Sequence, residues 1–442
     1  MSKLNDHRLI SNPDLRRQMQ FASPPVEEIE RRLKELITPD ILACQRRAGR
    51  QKGLRERILS LPAMAAIVLS LVYRRLPSLQ EALRILHNEG LLWVEPTRVS
   101  RQALDKRFEK MPASLFAGLF QQVVLRISQG ASAPQSLMLA PQDQGVLETF
   151  SAVWIADGST LEALRKHLDS LKQASVPLGG KILLLVQAFG HQPLAVFYTE
   201  DAKADDRSFG EAVRERLPKN GLLLMDAGWL AFDLYDAFTK SGRFFVSRPR
   251  TNTAYKRVRL LSEGPRFRDE IVQLGQYRSN PCQYPVRLIS VLWKGVWYRY
   301  LTNVLDPQKL SACQVCQLYR RRWRIEDAFL LTKRLLGLAY LWVGSHNGVE
   351  LQVYATLILY AILTDVCWQV SLQLGLPLER ISAEMVFRSL YHFRRACEMN
   401  KASDWVCYLR ENAGILGIVK AVRKRHRQIA QENQLIWEGA LS

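Results

Sequence analysis

Short apolar runs with the length of β-strands follow one another between residues 150 and 225, and they constrain the fold more than any other feature. They are FSAVWIA (150–156), KILLLVQAF (181–189), PLAVFY (193–198) and GLLLM (221–225). Residues 190–192, Gly-His-Gln, predict a hairpin-like joint, and residues 208–217 have the spacing of a short amphipathic helix. This order of strands and helix predicts a mixed α/β sheet.

Helical patterns flank these runs. Residues 1 to about 135 are predicted to be helical and basic, and the chain ends in a helical region with a basic run at 423–427. Residues 248–300 are rich in Arg, Thr, Val, Tyr and Trp without helical spacing, which predicts a β-rich insertion. A return to the sheet at 301–304 and a long helix from Gln308 to about Leu338 are expected after it.

The charge balance indicates a polyanionic partner. The 442 residues carry 62 Lys and Arg against 42 Asp and Glu, a formal net charge of +20. Nucleic acid is the first candidate and an anionic membrane surface the second. In the basic N-terminal region, Ser100 is predicted to cap a helix rich in cations. Its pattern suits a helix-turn-helix-like unit and, equally, a basic helix exposed to solvent.

Composition and cysteine usage exclude several classes of protein. With 48% hydrophobic and 24% charged residues, the chain is not a disordered, collagen-like or small disulfide-rich protein. Seven scattered cysteines predict reduced thiols and a cytoplasmic location, and Cys313 and Cys316 lack a second pair for zinc. Residues 1–21 do not resemble a secretory signal, and the apolar stretch 353–370 predicts a buried core helix rather than a membrane span.

Two aspartates follow apolar strand-like runs. Asp157 comes after the first run and Asp226 after the fourth, and the ends of strands present side chains to a ligand crevice. Each aspartate alone is more simply a helix cap or a turn residue, above all Asp157, which precedes Gly-Ser-Thr.

A third carboxylate makes a shared site the better hypothesis. At about 100° per residue, Tyr319, Arg322, Glu326 and Lys333 fall within one stripe about 60° wide on the long predicted helix. Surplus cations beside one glutamate suit phosphate oxygens. With Asp157 and Asp226, Glu326 suits two divalent ions, and hard oxygen ligands select Mg²⁺, for which Mn²⁺ can substitute. A salt-bridged surface helix explains less of the pattern.

The spacing Tyr319, two residues, Arg322, three residues, Glu326, six residues, Lys333 matches the Y-R-E-K signature of cut-and-paste DDE transposases. The sequence therefore resembles the insertion-sequence-four family of these enzymes. The blocks VWIADGST (153–160), LLLMDAGW (222–229) and YLTNVLD (300–306) extend the resemblance, which covers roughly residues 95–370. One departure is Ala227, where many relatives have Arg.

The resemblance implies a ribonuclease-H-like core with a β-rich insertion. Asp157, Asp226 and Glu326 would be catalytic and hold two Mg²⁺, while Tyr319, Arg322 and Lys333 would bind DNA phosphates. Trp297 or Tyr298, with Trp293 a further candidate, would stack on a flipped base. The partners would be transposon terminal inverted repeats, target DNA and a second copy of the chain in a synaptic complex, without a membrane.

The corresponding division of the chain has five parts. These are a helical basic DNA-binding region (1–135), the first part of the catalytic core (140–247), the insertion (248–300), the second part of the core (301–375) and a helical C-terminal region (376–442). The basic N-terminal helices and residues 423–427 are the candidates for end recognition and DNA backbone contact.

Three other functions remain open from the sequence. A metal-dependent structure-specific nuclease would use the same fold and cut DNA without joining it. A non-catalytic DNA-binding regulator descended from a transposase would need no acidic triad. A membrane-surface protein finds support only in the basic C-terminal run, which is more simply a DNA contact or a tail.

Overall fold

The computed structural model describes residues 26–54, 58–130, 139, 141–161, 180–338 and 341–421. These residues form two compact units. The helical unit holds the described residues up to Gly130 and those within Phe329–Lys420, and the sheet unit holds those within Ala131–Ala328. The basic run at 423–427 lies outside the described residues. The five-part division of the chain stays a prediction.

The helices are numbered in chain order. They are α1 (Val26–Leu36), α2 (Pro39–Gln51), α3 (Leu61–Tyr73), α4 (Leu79–Asn88), α5 (Arg101–Lys110), α6 (Ala113–Gly130), α7 (Pro141–Thr149), α8 (Gly210–Arg216), α9 (Phe232–Lys240), α10 (Ala312–Arg321), α11 (Ile325–Leu330), α12 (His346–Leu374), α13 (Ala383–Arg388), α14 (Leu390–Glu398) and α15 (Trp405–Glu411). Ser100 caps α5 as predicted, because its side chain accepts a hydrogen bond from the backbone N–H of Ala103.

The sheet unit is built on one mixed sheet. Its strands are β1 (Val153–Thr160), β2 (Lys181–Gln187), β3 (Pro193–Thr199), β4 (Leu222–Leu224), β5 (Phe244–Ser247), β6 (Tyr255–Gly264), β7 (Phe267–Leu274), β8 (Val286–Trp293) and β9 (Val296–Thr302). The spatial order is β3-β2-β1-β4-β5-β9-β8-β7-β6. Strand β1 pairs in parallel with β4, and β4 with β5, whereas the other pairs are antiparallel. The predicted mixed α/β fold is confirmed, and it agrees with a ribonuclease-H-like core.

Helices cover this sheet through a buried apolar cluster. Trp229, Tyr235 and Phe238, from the segment around α9, pack with Phe245 of β5, and the rings of Tyr235 and Phe245 stack with centroids 4.2 Å apart. Aromatic burial on this scale stabilises the sheet-helix contact and fixes the strand ends that carry polar side chains.

The first strand begins and ends later than predicted. Strand β1 continues to Thr160, and Asp157 pairs with Leu184 of β2 in mid-strand. The expected turn at 158–160 was wrong, because antiparallel pairing with β2 continues through these polar residues to the pair Thr160 and Lys181. Pairing therefore overrides the local turn preference of Gly-Ser-Thr.

The β-rich insertion is present as an extension of the same sheet. Strands β6 to β9 form an antiparallel meander, and β9 joins the core by pairing with β5 through Val246 and Thr302. A buried ion pair fastens the meander, since Arg287, fully buried, donates hydrogen bonds to both carboxylate oxygens of Asp269 at 2.8 and 2.5 Å.

The helical unit is organised around α12. Residues 353–370 lie within this helix and are mostly buried, as predicted for a core helix. By length and composition alone α12 is able to cross a membrane, but 83% of its most apolar window is buried inside the protein. Its contacts with α3, α6 and α15 make it the centre of this unit.

The long helix predicted from 308 to 338 is interrupted. Helix α10 begins with a capping box formed by Ser311 and Gln314 and ends at Arg321. Residues Arg322–Arg324 form a 3₁₀ turn, α11 follows, and Leu331–Leu335 form a π-helical segment. A 3₁₀ turn advances about 120° per residue instead of about 100°, so three such residues rotate the start of α11 by about 60° relative to an unbroken α-helix. The residues of the predicted stripe therefore do not all lie on one continuous α-helix.

Candidate active site

Pairing of β1 with β4 brings the two aspartates together. Ile155 is in register with Leu224 on the neighbouring parallel strand, and Asp157 and Asp226 each lie two residues further along. Neighbouring strands are about 4.8 Å apart, so both carboxylates lie close together on the same face of the sheet, just beyond the end of β4. Their charges interact, since Asp226 raises the pKa of Asp157.

Asp157 is a largely buried carboxylate with its oxygens already engaged. Its Oδ2 accepts a hydrogen bond from Nη1 of Arg322 at 2.7 Å, and its Oδ1 accepts one from the backbone N–H of Gly158 at 3.1 Å. Burial raises the pKa of Asp157 to about 6, against the lowering effect of Arg322 and with the help of two nearby aspartates.

Asp226 caps the turn that follows β4. Its Oδ1 accepts a hydrogen bond of 2.8 Å from the backbone N–H of Gly228, at the start of the 3₁₀ turn Ala227–Trp229. Asp226 therefore acts as a capping residue, which is the simpler interpretation from the sequence. The cap uses one carboxylate oxygen and fixes the side chain in orientation beside Asp157.

Arg322 and Tyr319 lie together at the two aspartates. Both are buried, and the guanidinium of Arg322 lies 5.5 Å from the ring centroid of Tyr319. The charges of Asp157 and Asp226 both raise the pKa of Arg322, although burial opposes them. Two residues of the predicted phosphate-binding set therefore adjoin the carboxylate pair.

Glu326 is placed differently. It is exposed at the start of α11, beyond the 3₁₀ turn, and has no hydrogen-bond or ion-pair partner in the described part of the chain. Across the described ranges, no group of three or more His, Cys, Asp or Glu side chains is arranged to hold a metal ion. The structure thus brings together the two aspartates of the predicted triad and leaves the glutamate apart.

Lys333 lies in the helical unit, within the π-helical segment. Its Nζ is 5.7 Å from the ring centroid of Phe329, and burial lowers the pKa of Lys333 to about 8. A lysine with this pKa loses its charge as the pH rises through about 8, which makes its affinity for an anion dependent on pH.

The predicted stacking aromatics occupy opposite faces of β9. Trp297 and Tyr298 are neighbours on one strand, so their side chains point to opposite sides of the sheet. Tyr298 shares its face with Tyr300, whose ring centroid lies 5.2 Å from that of Tyr319. Of the two, Tyr298 is therefore on the side of Tyr319, while Trp297 is 44% exposed on the other.

Sequence reasoning missed Arg248, which connects these aromatics. Its guanidinium lies 5.8 Å from the ring centroid of Tyr298 and 6.0 Å from that of Tyr319. The signal was weak, because Arg248 lies at the boundary of the predicted insertion among other arginines. Arg248 therefore adds a cation beside Tyr298 and Tyr319.

A third aspartate beside the pair was also missed. Asp206 lies close enough to interact with the charges of Asp157 and Asp226, and Nζ of Lys181 is 2.6 Å from its Oδ1. A Cβ atom at Gly158 would lie 2.0 Å from the same Oδ1, so only glycine admits this carboxylate against β1. No motif in the sequence marks Asp206.

The donor set fits divalent metal only in part. Asp157 and Asp226 are adjacent hard oxygen ligands of the kind that Mg²⁺ prefers, and each keeps lone pairs beyond its present hydrogen bonds. Arg322 neutralises Asp157 in this arrangement, and Glu326 is absent from the group. The pair is therefore a two-ligand portion of the predicted centre.

Comparison with known proteins agrees with the motif. Residues 150–362 match the family model of the transposase DDE domain. The chain is 28% identical over 170 residues to the putative transposase y4zB of Sinorhizobium fredii, covering 37% of this chain and 47% of that protein. It is 25% identical over 169 residues to the transposase InsG for insertion sequence element IS4 of Escherichia coli, covering 36% and 37%.

A third relative is similar over the same extent. A putative transposase for insertion sequence element IS4SA of Synechocystis is 24% identical over 163 residues, covering 36% of this chain and 45% of that protein. The chain thus spans less than half the length of each of these relatives. Residues 150–362 are therefore similar to the transposase DDE domain, and the named relatives support a DDE transposase of the insertion-sequence-four type.

Proposed function

We propose that this chain cuts DNA at the ends of a mobile element and joins the freed 3′ ends to target DNA. The observation that carries the proposal is the register of β1 and β4, which sets Asp157 beside Asp226 next to Arg322. Paired carboxylates with an adjacent buried cation suit a reaction at a phosphodiester, where metal and phosphate must be held together. The relatives named as transposases support the same activity.

Asp157, Asp226 and Glu326 are the proposed ligands of two Mg²⁺ ions, and Mn²⁺ can replace them. When bound, such ions lower the pKa of an attacking water and stabilise the leaving oxygen. The chain's own contribution is to hold the carboxylates in place: pairing fixes Asp157 on β1, and the Gly228 N–H fixes Asp226.

Completion of the centre requires movement of Glu326. Return of Arg322–Arg324 from a 3₁₀ turn to an α-helix rotates α11 back by about 60° and restores Glu326 to the stripe of Tyr319 and Arg322. Catalytic geometry commonly tightens only in the substrate complex. We therefore propose that DNA binding drives this change.

Arg322 has two proposed partners. Without DNA its guanidinium neutralises Asp157, and with DNA it transfers to phosphate oxygens, which accept the same hydrogen bonds. Tyr319 and Lys333 are the further phosphate ligands, and Tyr298 is the preferred stacking residue because it shares a sheet face with Tyr300, which contacts Tyr319. The proposed partners are terminal inverted repeats, target DNA and a second copy of the chain, in the cytoplasm.

A strand-transfer assay tests this function. A labelled duplex with the inverted repeat found beside the gene, already cut to leave a free 3′ hydroxyl, is incubated with plasmid DNA and Mg²⁺. Joined product supports the transposase. Cleavage of uncut repeats without any joining supports the structure-specific nuclease, and DNA binding with neither reaction supports the non-catalytic regulator.

A further inference from the structure

A basic cavity lies in the helical unit. It has a volume of about 880 Å³ and is lined by α5, by the segment before it and by residues that follow α2. Its lining includes the cations Lys52, Arg98, Lys106, Arg107 and Lys110, and no acidic side chain from the described residues. A concave surface with one sign of charge concentrates the opposite charge within it.

The sequence of α5 builds one wall. Gln102, Lys106 and Lys110 recur every four residues and so lie on one side of the helix, which faces the cavity. Asp105 is engaged elsewhere, because its carboxylate pairs with Nε of Arg101 at 2.9 Å and does not line the cavity. The cavity-facing side of α5 therefore keeps its positive charge.

The other walls combine a fixed cation with apolar groups. Nζ of Lys52 donates a hydrogen bond of 2.6 Å to Oγ of Ser114, and Gly53, with φ of +76°, turns the chain after α2. Leu59 and Ala103 contribute apolar surface. In contrast, Lys106 and Lys110 are exposed and have no ion-pair partner in the part of the chain that the structure describes.

We propose that this cavity binds the sugar-phosphate backbone of DNA. Free ammonium groups suit phosphate oxygens, and the apolar wall suits the deoxyribose between them. The cations of α5 line a concavity, whereas a recognition helix presents its polar face convexly to a major groove. The site would therefore contact the backbone without selecting sequence. The proposal rests on the proposed function for the identity of the polyanion.

Neutralising the cavity tests the proposal. Fluorescence anisotropy measures binding of a labelled duplex of unrelated sequence, without divalent metal, as a function of salt. Lys106→Gln with Lys110→Gln should lower the slope of log K against log salt by about 0.9 for each phosphate that the cavity no longer neutralises. The matched control is Lys34→Gln with Lys401→Gln, two exposed lysines of the same unit outside the cavity, and it should change the slope by less than half as much.

An isosteric pair separates the cavity from the general surface. Gln102→Glu adds a negative charge inside it and should weaken duplex binding several-fold, while Gln121→Glu, exposed on α6 outside the cavity, should not. The proposal is overturned if Lys106→Gln with Lys110→Gln leaves the slope of log K against log salt unchanged. It is also overturned if Gln102→Glu and Gln121→Glu weaken duplex binding equally. The proposal is also overturned if Lys106→Gln with Lys110→Gln reduces binding to phosphatidylserine vesicles as much as it reduces binding to the duplex. These measurements do not involve cleavage. A protein that binds DNA through the cavity but does not cut it would therefore contradict the proposed function and leave the cavity proposal intact.

Discussion

Nη1 of Arg322 lies 2.7 Å from Oδ2 of Asp157, so a proposed phosphate ligand is paired with a proposed metal ligand. Both side chains are largely buried, which makes the pair electrostatically strong and costly to leave half-formed. Arg322 therefore compensates the negative charge of Asp157, which under the proposed function a metal ion would compensate once Arg322 binds a DNA phosphate. Under the proposed function, this pair is the arrangement of the site without DNA, and several expectations follow from it.

Removal of the Arg322 guanidinium should weaken DNA binding, because one DNA phosphate is then no longer neutralised. Arg322→Ala should reduce the slope of log K against log salt for duplex binding by about 0.9. The control is Arg214→Ala in the sheet unit. Arg214 pairs with the exposed Glu211 on its own helix, α8. An unchanged slope for Arg322→Ala, measured by anisotropy, means that this guanidinium does not reach phosphate.

Lys333 should make DNA binding dependent on pH around 8. Burial lowers its pKa to about 8, so deprotonation removes its charge as the pH rises from 7 to 9, and affinity should fall over that interval by up to tenfold per unit. Lys333→Arg, which stays charged, should remove this fall. The same decline in both proteins, measured at constant salt, contradicts the assignment of Lys333 as a phosphate ligand.

Asp206 should shift the pH dependence of cleavage. Burial chiefly raises the pKa of Asp157 to about 6, and the negative charge of Asp206 adds to the effect. A metal ligand must be deprotonated, so cleavage at limiting Mg²⁺ should fall as the pH drops through 6. Asp206→Asn should move this fall to lower pH, whereas Asp201→Asn, an exposed aspartate on the same connection, should not. A profile unmoved by Asp206→Asn contradicts coupling between the two carboxylates.

Tyr298 should be the stacking aromatic rather than Trp297. Stacking on a base contributes about 1–3 kcal/mol, so Tyr298→Ala should slow cleavage of the repeat by roughly 5- to 150-fold, and Tyr298→Phe should restore most of the rate. Trp297→Ala, on the opposite face of β9, should leave it nearly unchanged. The reverse ranking of the two alanine variants in single-turnover cleavage contradicts the face assignment.

Local patterns predicted the strands, the joint at His191 and the β-rich insertion, because strand length and apolar content are properties of short segments. They also placed Asp226 at the end of its strand. The extent of β1 around Asp157 depends on pairing with β2, which is not local. The interruption at Arg322–Arg324 contains neither Gly nor Pro, so no helix-breaking residue indicated it. Asp206 and Arg248 reach the site only through tertiary packing.

Cleavage by single carboxylate variants tests the central claim most directly. Asp157→Asn, Asp226→Asn and Glu326→Gln are compared with Asp327→Asn, an exposed acid next to Glu326, on a duplex carrying the element's inverted repeat during an Mg²⁺ titration. The account predicts that each triad variant binds the duplex but does not cut it, while Asp327→Asn cuts normally. Mg²⁺-dependent cleavage that persists in Glu326→Gln at the wild-type rate contradicts the account.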